Sequence, residues 1–252
     1  MGIINVTPDS FSDGGKFHTL KNAIKRAKEL EKQGANILDI GGESTGPGSK
    51  NVSLEEELKR VIPVIKELRK STKLPISIDT YKAEVAQQAL GAGANMVNDI
   101  TALRGDPKMA SVIKKHKCQV ILMYSKDPTP RTTIKKKKYK DVIKTIKDFL
   151  KKRIQYAKKQ GISNNQIIID PGMGHFISAL PQYSYEIIAR LHEFHTLGYQ
   201  ILIGASRKSF LGGSMESRVE KEAVVSAIAY NGGVSIIRTH DVKQIKWLKS
   251  LS

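Results

Sequence analysis

Short runs rich in Ile, Val, Leu and Met alternate along this chain with longer stretches whose apolar residues recur every three or four positions. The short runs read as strands at 2–6, 36–40, 76–79, 96–99, 120–124, 167–170, 201–204 and 235–239. The longer stretches read as amphipathic helices, among them 54–68, 85–90, 109–115, 139–159, 185–197, 223–230 and 242–251. Ser53 is placed to cap the first of these, with Glu56 completing a capping box. Strands that regularly alternate with helices imply a parallel sheet, because parallel neighbours need a crossover connection.

About eight such units in 252 residues match the size and count of a TIM (β/α)8 barrel. The expectation is an α/β fold of that type, a single domain over residues 1–252. An open doubly wound sheet is the alternative, and only closure of the sheet separates the two. No composition break, Gly/Ser linker or internal repeat divides the chain. The segment Asp127-Pro128-Thr129-Pro130 and the lysine run after it read as a mobile insertion.

A barrel of this kind builds its site at the C-terminal ends of the strands. The residues that fall there are Asn5, Asp39, Asp79, Asn98, Asp99, Tyr124, Asp170, the group Ser206-Arg207-Lys208, and Arg238-Thr239-His240. A carboxylate at the end of a buried strand is costly unless it meets a partner or a ligand. Asp79 and Asp170 are therefore expected to touch a ligand. Asp39 is divided between that role and bracing the turn at Gly41-Gly42. Arg238 and His240 sit where such barrels often hold phosphate, and the Arg fork suits phosphate oxygens. The competing reading for Arg238 is a structural ion pair with Asp241.

Composition narrows the classes. Apolar residues make up 40% of the chain, enough for a real core. No apolar run approaches the ~20 residues of a membrane span, and the chain opens inside its first strand with no signal-peptide pattern. The one cysteine, Cys118, cannot form an internal disulfide and reads as a buried, inert thiol in a reducing, cytoplasmic setting. The net charge of +18 raises nucleic-acid binding as a possibility. Against it, the cations are spread over nearly every helix, as at Lys21, Lys25, Lys28 and Lys32. The one dense run, Lys135 to Lys138, has no aromatic residues interleaved for base stacking. A solvated basic surface that draws in anionic substrates is the expectation. The chain also lacks a nucleophile elbow, a dinucleotide fingerprint, a P-loop and a zinc-protease motif. A Mg²⁺ held by Asn5 and a polyphosphate substrate would need little protein ligation.

Seven blocks then carry a resemblance. They are Asn5-Val6-Thr7-Pro8-Asp9-Ser10-Phe11-Ser12-Asp13-Gly14-Gly15, Asp39-Ile40-Gly41-Gly42-Glu43-Ser44-Thr45, Ser77-Ile78-Asp79-Thr80, Asn98-Asp99-Ile100, Asp170-Pro171-Gly172-Met173-Gly174, Ser206-Arg207-Lys208-Ser209 and Ile237-Arg238-Thr239-His240-Asp241. In this order they cover essentially the whole chain, and together they resemble dihydropteroate synthase, the folate-pathway enzyme that sulfonamides inhibit. The resemblance implies a TIM barrel, often dimeric, that joins 6-hydroxymethyl-7,8-dihydropterin pyrophosphate to p-aminobenzoate and releases pyrophosphate. By position, Asp79, Asn98, Ile100, Met123, Asp170 and Lys208 would hold the pterin. Asn5, Thr45, Arg238 and His240 would hold the pyrophosphate, with Mg²⁺ through Asn5. Phe11, Thr45, Pro47, Lys208 and Ser209 would flank p-aminobenzoate, and Asp79, Asp13 and Lys208 would carry the chemistry. The implied mechanism is dissociative: pyrophosphate leaves first and the arylamine attacks the resulting cation.

The chain departs from the family pattern at several points. Gly46 stands where the family usually has an arginine that orders the closed loops, with Lys50 or Arg131 as candidate replacements. Met123-Tyr124 replaces Met-His. His175-Phe176-Ile177 replaces Phe-Gly-Lys, a pattern nearer the branch of sulfonamide-resistance enzymes. The segment that commonly precedes the first strand is also absent. Gly46 motivates an alternative function, a catalytically impaired pterin-binding or regulatory barrel. A corrinoid-linked pterin-binding methyltransferase is a further reading, opposed by the loop carrying Phe11 and by the Arg238/His240 pair.

Overall fold

The fold is that of a computed structural model whose description covers residues 1–7 and 15–251, with side chains described from residue 20 onward in the second stretch. The strands are β1 Gly2–Asn5, β2 Leu38–Gly41, β3 Ile76–Asp79, β4 Met96–Asp99, β5 Gln119–Met123, β6 Ile167–Asp170, β7 Gln200–Ile203 and β8 Ile236–Ile237. The helices are α1 Gly15–Lys32, α2 Leu54–Ser71, α3 Ala83–Gly91, α4 Met109–His116, α5 Val142–Lys159, α6 Gln182–Ala189, α7 Met215–Asn231 and α8 Val242–Ile245. All strand pairs are parallel and follow chain order from β1 to β8. Backbone bonds from Ile3 N–H to the Thr239 carbonyl (3.0 Å) and from Thr239 N–H to the Met1 carbonyl (3.0 Å) join the last strand to the first. That closure decides for the barrel over the open sheet.

Strand alternation sorts the side chains into two cores. Ile40, Ile78, Val97, Val120, Leu122, Ile169 and Ile203 point outward and pack under the helices. Met96, Ile121, Ile168 and Leu202 point inward and form a separate apolar floor. One step further along the same strands the inward positions become Asn98, Met123, Asp170 and Gly204. The barrel is therefore dry at its N-terminal end and polar at its mouth. Ile121 and Ile168 are fully buried, so truncating either to Ala should cost about 2–5 kcal/mol.

Several element boundaries differ from the sequence reading. Ser53 caps α2, its Oγ accepting the Glu56 N–H at 3.2 Å. Glu56 does not complete the box, because its carboxylate takes Arg60 Nε at 2.9 Å instead. The helix expected over 185–197 stops at Ala189 and continues as a 3-10 segment over Leu191–Leu197. The apolar spacing runs on through the break because a 3-10 turn also puts residues three apart on one side, here the buried Leu191 and Phe194. The helix expected over 242–251 is likewise only one turn long before a 3-10 segment takes over. The segment read as a mobile insertion is tied down. Ala179 N–H bonds the Lys135 carbonyl and Ser178 Oγ bonds the Lys137 carbonyl, both at 2.8 Å. Lys126 Nζ also reaches the Thr133 carbonyl at 2.7 Å.

Cys118 is buried, and burial pushes its thiol up to about 11, which makes it the inert group expected. No described helix is long and apolar enough to cross a membrane.

Candidate active site

The polar end of the barrel is organised around Arg238, just beyond β8. Its Nε donates to Asp39 Oδ2 and its Nη2 to Asp79 Oδ2, each at 2.6 Å. Asp39 Oδ2 also accepts from Asn98 Nδ2 at 3.3 Å. Asp39 is wholly buried, and its second oxygen, Oδ1, has no partner among the described residues. Asp39 therefore acts as an internal counter-charge rather than as a brace for the Gly41-Gly42 turn. Asp241, the alternative partner for Arg238, instead pairs with Arg207 at 3.1 Å.

Charge is finely poised here. Burial pushes Asp79 up to about 7; Arg238 pulls against this, and the Asp39 charge adds to it. Burial also raises Asp170, against the pull of Lys208. Lys208 is pushed down to about 8 by burial, with Asp170 opposing the fall. Burial would lower Arg238 too, but Asp39 and Asp79 hold it above the ordinary arginine range.

The loop after β6 touches both Asp170 and the stem of Lys208. Asp170 Oδ1 accepts the Gly172 N–H at 2.7 Å. Gly172 has φ +73, and a Cβ there would press on the Tyr124 carbonyl oxygen. Gly174 has φ +63, and a Cβ there would sit 3.3 Å from Lys208 Cδ. Both glycines let the loop lie close against the β5 end and the lysine stem. Lys208 Nζ stands 5.2 Å from the centre of the Phe176 ring, a cation–π contact. Met123 is in register with Asp170, and Ile100 is buried just past β4. Asp99 faces away from this group; it closes its own turn by accepting from Thr101 N–H and Leu103 N–H, both at 2.8 Å.

A second corner lies at the join of β1 and β8. Asn5 Nδ2 is 3.2 Å from His240 Nε2, and His240 Nδ1 is 2.9 Å from Ser206 Oγ. The amide nitrogen can only donate, so His240 Nε2 accepts and Nδ1 carries the proton. Burial, with Arg207, Arg238 and Arg26 nearby, pushes His240 down to about 3 and keeps it neutral. Ser206 Oγ also accepts the His240 backbone N–H at 3.0 Å. Behind this pair, the buried Glu222 accepts the Thr239 hydroxyl. Sequence reasoning missed Glu222. The available signal was a carboxylate on the apolar stripe of α7, in phase with the buried Val225 and Ala229.

A cavity of about 400 Å³ opens beside Lys208. Gly46 and Pro47 form one wall, Thr132 and Ile134 another, and Met173, His175, Phe176 and Ser209 complete it. Its first two walls are tied together. Thr132 N–H bonds the Thr45 carbonyl at 3.1 Å. Arg131 donates to the Ser49 carbonyl (3.1 Å), to the Lys50 carbonyl (2.9 Å) and to the Glu43 carboxylate. Lys82 Nζ joins Glu43 and Glu57 at 2.6 Å each. Although burial raises Glu43, the Lys82 hydrogen bond and charge hold it below the ordinary carboxylate range. Arg131 thus ties this loop down where Gly46 has no side chain to do so, while Lys50 contributes its carbonyl. Sequence reasoning missed Glu57 too; its signal was a charge on the buried stripe of α2 with Val61, Val64 and Leu68.

The expected site residues thus fall into three adjoining groups. Asp79, Asn98 and Asp170 meet around Arg238 and Lys208; Asn5 and His240 touch each other; and Pro47, Lys208 and Ser209 line the cavity. The backbone bond of Thr45 runs to the cavity wall. Phe11 and Asp13 lie outside the described residues.

A family model described as "Pterin binding enzyme" matches residues 1–240. A dihydropteroate synthase of Synechocystis sp. is 44% identical over 248 residues, covering 96% of this chain and 85% of the relative. Among solved structures, a dihydropteroate synthase from Clostridium difficile, determined in the presence of pteroic acid, aligns with TM-score 0.92 and 44% identity. That alignment covers 100% of this chain and 94% of the other. The Xanthomonas albilineans dihydropteroate synthase with 4-aminobenzoic acid aligns with TM-score 0.92 and 39% identity, covering 100% and 90%.

Proposed function

The chain belongs to the pterin-binding enzyme family, and from that premise we propose how the three groups at its barrel mouth share the chemistry. The enzyme condenses 6-hydroxymethyl-7,8-dihydropterin pyrophosphate with p-aminobenzoate, giving 7,8-dihydropteroate and pyrophosphate. The reading of a barrel without turnover, which rested on Gly46, is not favoured by these relatives.

One observation carries the assignment of roles: Asp79, Asp170 and Lys208, each shifted towards neutrality by burial, meet at one mouth. A pterin presents N–H donors beside a carbonyl. Asp170 accepts those donors and Lys208 donates to the carbonyl oxygen. Asn98 is held by Asp39, which orients its amide towards the same ligand. Ile100 and Met123 supply apolar surface for the ring faces.

The bond from the pterin methylene to the pyrophosphate oxygen breaks, and its electron pair leaves with the pyrophosphate. The positive charge left on the methylene spreads into the ring. When ionised, the Asp39, Asp79 and Asp170 carboxylates outnumber the cations Arg238 and Lys208, so the mouth favours that cation. The arylamine nitrogen attacks the methylene and then loses a proton. The leaving pyrophosphate is received at Asn5, Thr45 and the remaining nitrogen of Arg238, while the His240 ring, which accepts from Asn5, orients that amide.

Mg²⁺ fits this corner on its donor chemistry. Asn5 spends its amide nitrogen on His240, which leaves the carbonyl oxygen for a hard cation. No described cluster of His, Cys, Asp or Glu competes for it, and Mg²⁺ normally keeps several waters beside substrate phosphates. When bound, the ion supplies positive charge to the leaving pyrophosphate.

A homodimer is supported by α7, where Val224 and Ile228 stand 62% and 50% exposed, one turn apart on one side. Sulfonamides would compete for the cavity beside Lys208, and the unpaired Cys118 suits a cytoplasmic enzyme.

Pyrophosphate release from the two substrates tests the proposal. Asp170→Asn and Lys208→Ala should each lose pterin binding by calorimetry, and Asn5→Ala should raise the Mg²⁺ concentration needed. Unchanged pterin affinity in the first two variants would defeat the assignment.

A further inference from the structure

We propose that His175 aims the Ser209 hydroxyl into the cavity and so makes it select an arylamine bearing a carboxylate over an uncharged one. The inference rests on the reading that this cavity takes p-aminobenzoate.

His175 Nε2 lies 2.9 Å from Ser209 Oγ. The other ring nitrogen, Nδ1, is buried and has no partner among the described residues. Two neutral tautomers are available. With the proton on Nδ1, a buried N–H donor would stand unpaired, the rarer and costlier defect. With the proton on Nε2, only a lone pair is left unpaired, and the Nε2–H bonds Ser209 Oγ. The second arrangement fills an acceptor position of the serine and leaves its hydroxyl hydrogen to be donated elsewhere. The cavity is what Ser209 shares with Lys208 and His175.

The imidazole is well placed to act as a rigid support. The His175 backbone carbonyl accepts from Lys126 Nζ at 2.6 Å and from Thr132 Oγ1 at 2.8 Å. The residue also lies in a 3-10 turn held against Lys208 by Gly174. Burial, with Lys126 and Lys208 near it, lowers the imidazole pKa and keeps the ring neutral. The cavity wall therefore offers an aimed hydroxyl donor beside the Lys208 ammonium. A carboxylate gains a charge-assisted bond from that pairing, whereas a neutral amide gains much less.

The test uses the whole enzyme with p-aminobenzoate as substrate and 4-aminobenzamide as an uncharged competitor. His175→Leu should raise KM for p-aminobenzoate about tenfold, as loss of one oriented, charge-assisted donor would. The inhibition constant of the amide, kcat, and KM for the pterin substrate should stay within about twofold. His175→Gln, which can extend an N–H to the same hydroxyl, should restore the preference. If the Leu variant does not fold, His175→Asn, too short to reach Ser209, takes its place. Equal loss for acid and amide, or no loss for either while Ser209→Ala still raises KM, would overturn the role of His175. If Ser209→Ala itself leaves KM for p-aminobenzoate unchanged, it is the cavity reading that fails.

Discussion

Arg238 and Asp79 stand 159 residues apart in sequence, yet the guanidinium Nη2 lies 2.6 Å from the Asp79 carboxylate. The same side chain reaches Asp39 at 2.6 Å through Nε. One cation from the last strand thus compensates two carboxylates from the second and third. Removing it would leave both charges in a buried setting.

Arg238→Met should therefore destabilise the protein by about 3–5 kcal/mol at pH 8. The loss should shrink towards pH 5. Without the cation the Asp79 carboxylate binds its proton more tightly folded than unfolded, so stability falls as pH rises above about 4. Urea midpoints at the two pH values check this. An equal shift at both would refute it.

Lys208, pushed down to about 8 by burial, makes two opposite pH trends. Pterin affinity should fall roughly tenfold per pH unit above about 8, as the free enzyme loses the ammonium that binds the carbonyl. Stability should gain over the same range. Between about 8 and the usual lysine value near 10.5 the unfolded chain holds a proton that the folded one has released, so raising pH favours the fold. Calorimetry and thermal melts from pH 7 to 10 measure both, and Lys208→Met should flatten both trends.

The Arg131–Glu43 pair ties the loops after β2 and β5 together. A double-mutant cycle of Arg131→Ala and Glu43→Gln should give a coupling of about 1–2 kcal/mol in arylamine KM. KM for the pterin substrate should hardly move, because Asp170 and Lys208 are untouched. Additive effects would show that the two residues do not act as one clamp.

The exposed stripe of Val224 and Ile228 on α7 gives a direct test of assembly. Ile228→Glu should shift the protein from dimer to monomer in sedimentation at micromolar concentration, while a charge placed at the exposed Ile134 should not. A monomeric parent protein would remove the basis for this prediction.

Much of the fold could be read from local pattern. The strand runs 76–79, 96–99 and 167–170 match β3, β4 and β6 residue for residue, because each apolar run ends on an Asp: Asp79 and Asp170 at the mouth, and Asp99 in the turn that follows β4. Harder to read were the helix ends. The chain leaves α6 near Arg190, whose guanidinium is shared by Glu186, Glu193 and Asp141. Spacing alone does not distinguish a 3-10 turn from an α-helix when Leu191 and Phe194 suit both.

By itself the sequence determined the strand–helix alternation, the polar residues at or just past most strand ends and the ordered blocks that mark the family. These are local facts, set by side-chain period and residue type within a few positions. Only tertiary structure decided that Arg238 answers to Asp39 and Asp79 rather than to Asp241, that Arg131 holds the loop lacking an arginine at Gly46, and that His175 meets Ser209. Each of these is a contact between residues brought together by register and barrel closure. An ion pair forms with whichever opposite charge shares its low-dielectric space, and chain order does not say which charge that is.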